Sequence, residues 1–345
     1  TISTANPPDH DNDSAADPAP PFFSRPLAPP AAEARRLTLD DLQRFFRHPS
    51  RHLLQRRLGL SLRRPDEALD DDEPFLPGFA ARQALAQRLL PALHAGADEA
   101  ALHALATACI VLPIGLAGQH FINSELPLLR QHAQALAALT APPTLPPHQA
   151  DFEFDLDGSR WTLALALADL RPDGLVRHRY ANASAGDYLA SWIDHVALCA
   201  CAPAGVAGQT VWQGRDGPFH LRPCDDPLAV LQTLVRLYAE GSVAPLYFFP
   251  RTAWAWLRPG GSLAQAGQAW TVSPRRPFAE QGDGAHRLAL RGLPDPLREG
   301  LPNFEANARA VIEPLLLCLD DPRFGGGGAG VGAGVEAGVG AGGDA

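Results

Sequence analysis

The sequence predicts a mixed α+β fold, in which a helical N-terminal part precedes a part built from both strands and helices. Apolar residues recur at helical spacing over residues 37–140, and a proline cluster at 142–147 then ends the pattern. Strict alternation of apolar and polar residues begins at Phe152. The 345 residues, 46% of them hydrophobic, are sufficient for one large domain or two ordinary ones. We therefore expect a globular chain, with a mixed α/β part over residues 148–322.

The two ends of the chain differ in composition from the rest. Residues 1–36 are rich in Pro, Asp and Ala, which predicts a disordered arm, and residues 323–345 form a Gly/Ala-rich stretch that predicts a flexible tail. The chain begins with Thr1 and contains no methionine, so we expect it to be a piece of a longer protein. It shows neither a signal peptide nor an apolar run of about 20 residues.

Helix signals justify the elements of the helical part. Thr38 is a predicted N-cap for a first helix, Pro49 ends that helix, and Gly59 is a predicted stop for a second one. Three further helices are expected at 79–93, 99–111 and 123–139, with breaks at Gly96 and at 113–118.

A β-hairpin opens the mixed part. Phe152, Phe154 and Leu156 alternate with acidic residues, Asp157-Gly158 is a typical tight turn, and alternation resumes from Trp161 to Leu167. A turn at 172–174 then precedes a short strand at 175–180. Helices are predicted at 185–201, 228–240 and 306–319, the last interrupted at Pro314.

Charge is distributed unevenly along the chain. The net charge of −9 argues against a surface that is basic all round, yet nine arginines lie between Arg35 and Arg64 against only Asp40 and Asp41. All the cationic side chains are arginines, since no lysine occurs. The five cysteines lack paired metal-site spacing and favour a reducing compartment. Cys199 and Cys201 can be interpreted as metal ligands or, as we expect, as plain buried thiols.

Several sequence blocks together carry a family resemblance. They are LDDLQRFFRHPSRHLLQRRLGLSL from Leu39, DDDEPFLPGFAARQALAQRLL from Asp70, LPIGLAGQ from Leu112, GLVRHRY from Gly174, YLASWIDHVALCA from Tyr188 and LYAEGSVAPLYFFPRTAWAWL from Leu237. In this order they resemble the C-terminal domain of RecC, the gamma subunit of bacterial exodeoxyribonuclease V. The resemblance covers about residues 37–319 and leaves out both ends of the chain.

The resemblance implies a non-catalytic, DNA-handling domain within a heterotrimer. Its partners would be the RecB and RecD subunits, double-stranded DNA ends and separated single strands, in the bacterial cytoplasm at the nucleoid, with no membrane. No cofactor is expected on this chain, because ATP and Mg²⁺ would belong to the partner subunits. The Asp157-Gly158 hairpin is one candidate for the element that parts the strands.

The resemblance also implies a fold akin to the PD-(D/E)xK nucleases, whose site needs one carboxylate on the hairpin and another two residues before a lysine. Here Asp169 takes the first position, while Arg177, His178 and Arg179 stand where acid, spacer and lysine should be. A guanidinium cannot ligate a metal cation or act as a base near neutral pH. The site is therefore expected to be inactive and without metal, with Asp169 a vestigial position that serves as a turn or capping carboxylate. An unconventional active nuclease built on Asp169 is the less favoured alternative.

Arginines suit phosphate because the planar guanidinium can donate two hydrogen bonds to one anion. Arg171, Arg177, Arg179, Arg56 and Arg57 are therefore the candidate DNA-binding residues. Each can equally be a solvated charge, and Arg51, Arg56, Arg57, Arg63 and Arg64 can instead dock on an acidic partner subunit. A purely structural scaffold that grips RecB and RecD is the alternative function.

Two further features leave alternatives open. The aromatic residues between 247 and 256 can stack on unpaired bases or, as we expect, pack in the core; they are Tyr247, Phe248, Phe249, Trp254 and Trp256. The acidic run at 70–73 is expected to be a solvated loop or a subunit contact. In the FFRHP block His48 stands where iron–sulfur relatives carry a cysteine, so no cluster is expected.

Overall fold

The computed structural model describes residues 20–60, 62, 78–109, 112 and 115–324. Over these ranges the fold is mixed α+β, as predicted. The helices are α1 (Leu39–Arg47), α2 (Pro49–His52), α3 (Phe79–His94), α4 (Glu99–Thr107), α5 (Leu116–Thr140), α6 (Ala185–Cys201), α7 (Pro227–Gly241), α8 (Pro250–Leu257), α9 (Leu263–Trp270), α10 (Gly284–Ala289) and α11 (Leu301–Cys318). The strands are β1 (Arg36–Thr38), β2 (His148–Leu156), β3 (Ser159–Leu167), β4 (Leu175–His178), β5 (Thr210–Gly214), β6 (Gly217–Leu221) and β7 (Leu319–Asp320).

The predicted hairpin forms one edge of a three-stranded sheet of order β1-β3-β2. Strands β2 and β3 pair antiparallel, from His148 opposite Leu167 to Leu156 opposite Ser159. Asp157 and Gly158 both have positive φ, 50° and 73°, as a two-residue hairpin turn requires. Strand β1 adds to the other side of β3 in parallel. The hairpin prediction is confirmed, whereas the sequence did not indicate β1.

The second sheet has the order β4-β5-β6-β7. Strand β4 runs parallel to β5, and β5, β6 and β7 pair antiparallel. Gly174, immediately before β4, has φ 112°, and a Cβ atom there would lie 2.0 Å from the carbonyl oxygen of Gln209. Glycine is therefore required where β4 enters beside the chain that leads to β5.

The principal core packs both sheets against α1, α6, α7, α8 and α11. Trp192, Phe219 and Phe304 lie in it with no exposed surface. Of the five aromatic residues between 247 and 256, four are buried and Trp256 is half-buried. Core packing, the expected role of these rings, is thereby confirmed for the four.

A second hydrophobic cluster joins α3, α4 and α5. Leu85, Leu102 and Leu129 are buried in it, and Tyr180, which follows β4, also belongs to it. The apolar residues of the range 37–46 instead lie in the principal core. The helical part expected over 37–140 therefore contributes to both clusters, and its Leu54 lies in a third with Ala285 and Ala289.

Several boundaries differ from the predictions. Helix α5 begins at Leu116 instead of 123, directly after Gly115, whose φ is 83°. Helix α11 begins at Leu301 and continues through Pro314 without interruption. Strands β5 and β6 and helices α8 to α10 were not predicted.

Residues at both ends of the described chain have defined contacts. Within the segment predicted to be an arm, the amide of Phe22 donates to the carbonyl oxygen of Arg291 (3.1 Å), and that of Leu27 donates to Val243 (2.7 Å). Arg323, at the start of the predicted tail, pairs with Asp216 (2.5 Å). The rest of both predictions, residues 1–19 and 325–345, lies outside the described residues. The acidic run at 70–73 and Arg63 and Arg64 also lie outside them.

Candidate functional site

The vestigial position predicted at Asp169 lies just beyond the end of β3. Its side chain is exposed, and its φ of 58° is in the left-handed region that Asp tolerates better than most residues. In the part of the chain that the structure describes, no three His, Cys, Asp or Glu residues are placed to hold a metal ion. Asp169 therefore has the backbone geometry of a turn. Among the described residues, it has no neighbouring side chains placed to bind a metal ion with it.

Arg177, on β4, is bound by a carboxylate of α6. Its Nε donates to one carboxylate oxygen of Asp194 (2.6 Å), and Gln43 of α1 donates to the other (2.6 Å). Asp194 is 8% exposed. The attraction within such a buried pair offsets the cost of removing its charges from water only when the remaining hydrogen-bonding groups are also satisfied. Arg177 thus fastens β4 to α6 and α1.

Arg179, just after β4, is bound by the first turn of the same helix. Its Nη2 donates to Asp187 (2.5 Å), which also completes a capping box with Ser184 at the start of α6. The guanidinium lies 5.9 Å from the ring centroid of Phe79. Arg177 and Arg179 are therefore both ion-paired to α6.

Arg171 lies beside the C-terminal end of α5. Its guanidinium donates to the carbonyl oxygens of Thr140 (2.8 Å) and Pro142. A helix end carries carbonyl groups without helical partners, and a cation satisfies them well. Arg171 thus caps α5 at the junction with the hairpin.

Arg56 and Arg57, in the π-helical segment that follows α2, also contact the protein itself. Arg57 donates to the carbonyl oxygens of Ser242 (3.0 Å) and Ala28 (2.6 Å). Arg56 lies 3.5 Å from Asp41, and its side chain is 58% exposed. The five predicted DNA-binding arginines contact different elements of the fold, and each has an intramolecular partner.

Glu125 of α5 is the most heavily bonded carboxylate near β4. It accepts hydrogen bonds from Arg82 (3.0 Å), Tyr180 (2.7 Å) and both Nε and Nη2 of Arg215 (3.2 and 2.9 Å). Burial alone would raise the pKa of Glu125, but the hydrogen bonds from Arg215, Tyr180 and Arg82 hold that pKa below its usual value. The carboxylate therefore links α3, α5 and the second sheet.

The cysteines are all free thiols. Burial raises the pKa of Cys199, and raises that of Cys201 to about 11, so both are protonated and unreactive near neutral pH. His48, in the FFRHP block, hydrogen-bonds Asp283 (3.0 Å) and stacks on His286 with a centroid distance of 4.1 Å. His48 therefore has structural partners on α10 and beside it.

A different set of arginines is exposed around a cleft between α9 and α10. The set is Arg275, Arg276, Arg287, Arg291 and Arg298. Sequence reasoning missed it, although the run Ser273-Pro274-Arg275-Arg276 is a recognisable cationic turn.

Fold and site together define a class: a mixed α+β domain in which arginine–carboxylate pairs join β4 and the residues after it to α6. A family model described as the RecC C-terminal domain matches residues 34–260. The chain belongs to this family.

Two relatives extend the comparison. The RecBCD enzyme subunit RecC of Escherichia coli (strain K12) is 30% identical over 238 residues, which is 68% of this chain and 20% of the relative. The protein of the same name from Mycolicibacterium smegmatis is 30% identical over 302 residues, 81% of this chain and 26% of the relative. The chain thus spans about a fifth to a quarter of these curated relatives. Among the residues described, no helix is both long and apolar enough to cross a membrane.

Proposed function

We propose that the chain is a non-catalytic domain of a RecC subunit within a RecBCD complex, and that it helps to hold and split duplex DNA ends. Membership of the RecC C-terminal domain family supports the assignment to the complex. The observation that supports the lack of catalysis is the pairing of Arg177 and Arg179 with Asp194 and Asp187, where a metal-binding carboxylate and a lysine would be required.

The proposal includes the wider role of the complex: ATP-dependent unwinding, degradation and Chi-regulated repair of double-strand breaks by recombination. RecB and RecD would be its partners, and they would supply the ATP and Mg²⁺ chemistry. A bacterial cytoplasmic, nucleoid-associated location is part of the same proposal. The proposal also gives the chain a degenerate PD-(D/E)xK nuclease core as its fold. The mixed sheets and the β2–β3 hairpin, proposed to part the strands, are compatible with it.

The DNA contacts are proposed through Arg171, Arg177, Arg179, Arg56 and Arg57. A guanidinium has five N–H donors, so one bound to a carboxylate retains donors for a phosphate. The side chains of Arg177 and Arg179 are 28% and 39% exposed. A specific observation favours the second candidate function, a scaffold that grips the partner subunits: each of the five arginines already has an intramolecular partner.

A double-mutant experiment separates these two functions. Arg177→Gln alone leaves Asp194 buried without its cation and is expected to destabilise the chain by about 3–5 kcal/mol. Arg177→Gln combined with Asp194→Asn removes both charges and keeps hydrogen-bonding groups, so it should restore most of the stability. Binding to a forked duplex is then measured by fluorescence anisotropy at several salt concentrations.

The two functions predict different outcomes for the double variant. If Arg177 contacts phosphate, the variant binds the fork more weakly, and the slope of log affinity against log salt falls by about 0.9. Unchanged fork binding in a stably folded double variant would favour the scaffold. Asp194→Asn alone is the matched control, because it keeps the arginine.

The lack of catalysis is tested directly. The purified chain, incubated with Mg²⁺ and linear duplex DNA, is expected to release no acid-soluble nucleotides. Cutting that disappears in Asp169→Ala would instead establish an active site there.

A further inference from the structure

A cleft of about 660 Å³ opens between α9, α10 and the segment that follows α10. Its lining is mostly apolar and includes Trp270, Val272, Pro277, Leu290 and Pro296. The volume is in the range of about 300–1,000 Å³ typical of ligand sites. The cleft lies outside residues 34–260, which the family model matches.

Cationic side chains lie at this cleft and close to it in the sequence. Arg287 lines the cleft. The other four exposed arginines of the set lie within two positions, along the sequence, of a residue that lines it. Within the described ranges, none of the five takes part in an ion pair, and Arg291 lies 5.4 Å from the ring centroid of Phe22. This differs from the arginines of β4, whose charges are matched by carboxylates.

The acidic side chains of the same segment offset this charge only in part. Glu280 is buried and accepts hydrogen bonds from α8, and Asp283 is paired with His48 and Arg51. Asp295 lines the cleft and accepts from the amide of Leu297 (2.9 Å), and Glu299 is exposed beside Arg298, so two acidic side chains stand against five arginines. The surface therefore remains positive on a chain whose net charge is −9.

An exposed aromatic ring stands beside two of the arginines. Residues 273–276 form a turn in which the amide of Arg276 donates to the carbonyl oxygen of Ser273 (2.8 Å). Phe278, two residues further on, is 83% exposed, and Val272 before the turn is 43% exposed. A phenylalanine so exposed contributes little to the core.

The turn is fixed to the rest of the fold. Arg251 of α8 donates to the carbonyl oxygen of Phe278 (2.7 Å). The buried carboxylate of Glu280 accepts from the amide of Thr252 (2.8 Å) and from its hydroxyl (2.7 Å). A group held in place before binding loses less conformational entropy when it binds. The ring of Phe278 is thus presented on a supported turn.

The composition of this surface favours nucleic acid over protein as its ligand. The centre of a protein–protein interface is depleted in charged residues, whereas interfaces with nucleic acid are strongly positive. Here five exposed arginines and two exposed apolar side chains, Val272 and Phe278, lie at the cleft or within two sequence positions of a residue that lines it. Single-strand binders combine cationic side chains that follow the backbone with aromatic rings on which bases stack.

We propose that the α9–α10 cleft binds single-stranded nucleic acid without sequence preference, with a base stacked on Phe278 and phosphates bound by Arg275 and Arg276. The site is separate from the arginines of β4. It therefore goes beyond the function proposed above and can be tested independently of it.

The test uses the full chain and a fluorescein-labelled oligothymidylate of about 16 nucleotides, the upper end of typical site sizes. Arg275→Glu with Arg276→Glu should weaken binding and reduce the salt slope by about 1.4, the value for two phosphate contacts to a single strand. Phe278→Ala should weaken binding about 5- to 150-fold, and Phe278→Trp should keep the affinity because it keeps a stacking face.

Matched controls make the result specific to the cleft. Arg88→Glu with Arg236→Glu changes the net charge equally at exposed arginines of α3 and α7. Leu116→Ala removes another exposed apolar side chain, 84% exposed. Neither should change oligothymidylate binding, and the Arg177→Gln/Asp194→Asn variant should also retain it.

Three outcomes would overturn the proposal. The first is a wild-type chain that does not bind the oligothymidylate, and the second is cleft variants that bind no more weakly than the controls. The third is binding of poly-L-glutamate through Arg275 and Arg276 in place of the oligothymidylate, which would make the surface a docking site for an acidic protein. None of these outcomes would bear on the fork contacts proposed for Arg177.

Discussion

Glu125→Gln is expected to destabilise the chain strongly, because one buried carboxylate accepts four hydrogen bonds. The Glu125 side chain is 4% exposed, whereas those of Arg82 and Arg215 are 29% and 25% exposed. Hydrogen bonds to a charged group contribute about 1.5–3 kcal/mol each. The two guanidinium groups can turn partly to water, so the loss should be below the sum, about 3–5 kcal/mol, as for other broken buried pairs.

Urea unfolding followed by two signals measures this loss. The six tryptophans lie outside α3, α4 and α5, so their fluorescence reports on the rest of the fold, while far-ultraviolet circular dichroism also follows these three helices. Because Glu125 links the helices to the second sheet, Glu125→Gln should shift the circular dichroism transition to lower urea, ahead of the fluorescence transition.

Two controls bracket the expected value. Tyr180→Phe removes one of the four hydrogen bonds and should cost about 1.5–3 kcal/mol. Glu99→Gln removes a carboxylate that is 75% exposed and 3.7 Å from Arg130, which should cost about 0–1 kcal/mol. If Glu125→Gln costs no more than Glu99→Gln, the reasoning about this network is wrong.

Three further substitutions test other parts of the fold. Gly241→Ala would place a Cβ atom 2.4 Å from Cζ of Phe45, so we expect a loss of about 1–3 kcal/mol in thermal unfolding, and an unchanged midpoint would contradict the packing described. Thr38→Ala removes the capping box of α1 and should cost about 1 kcal/mol in the same assay, with Thr38→Ser as the control that keeps it. Burial alone would raise the pKa of Asp283, but the hydrogen bond from His48 holds it well below its usual range. The contribution of the Asp283 carboxylate to stability is therefore present above a pH of about 4 and lost as the pH falls further. Asp283→Asn should flatten the acid side of the stability–pH profile. Parallel profiles for the variant and the wild-type chain would refute this.

The elements with strong local signals could be predicted from the sequence. Helix α6 has the predicted bounds of Ala185 and Cys201 because a capping box begins it and an apolar stripe continues to its end. The β2–β3 hairpin was predicted because alternation and the Asp157-Gly158 turn agree. Helices α8, α9 and α10 have eight residues or fewer, too short for a periodic pattern to distinguish them from loops.

The partners of the arginines could not be predicted. Arg177 and Asp194 are 17 residues apart, on a strand and on a helix, so only the packing of α6 on β4 brings them together. A periodic pattern shows which face is buried but not which carboxylate meets which guanidinium. The turn at 273–276 is visible in the sequence, but the sequence does not show that Arg275, Arg276 and the arginines of residues 287–298 lie near one cleft.

The parallel pairing of β1 with β3 has a mechanical consequence. Tension transmitted through residue 20 would first load the contacts of Phe22 and Leu27, which hold the chain at two separate points. Only after these contacts yield would the force reach β1, whose hydrogen bonds to β3 join the entering chain to the hairpin. The contacts of the segment from 20 to 35 would thus break first. A pulling force from that side would separate them before it acts on the β1–β3 strand pair.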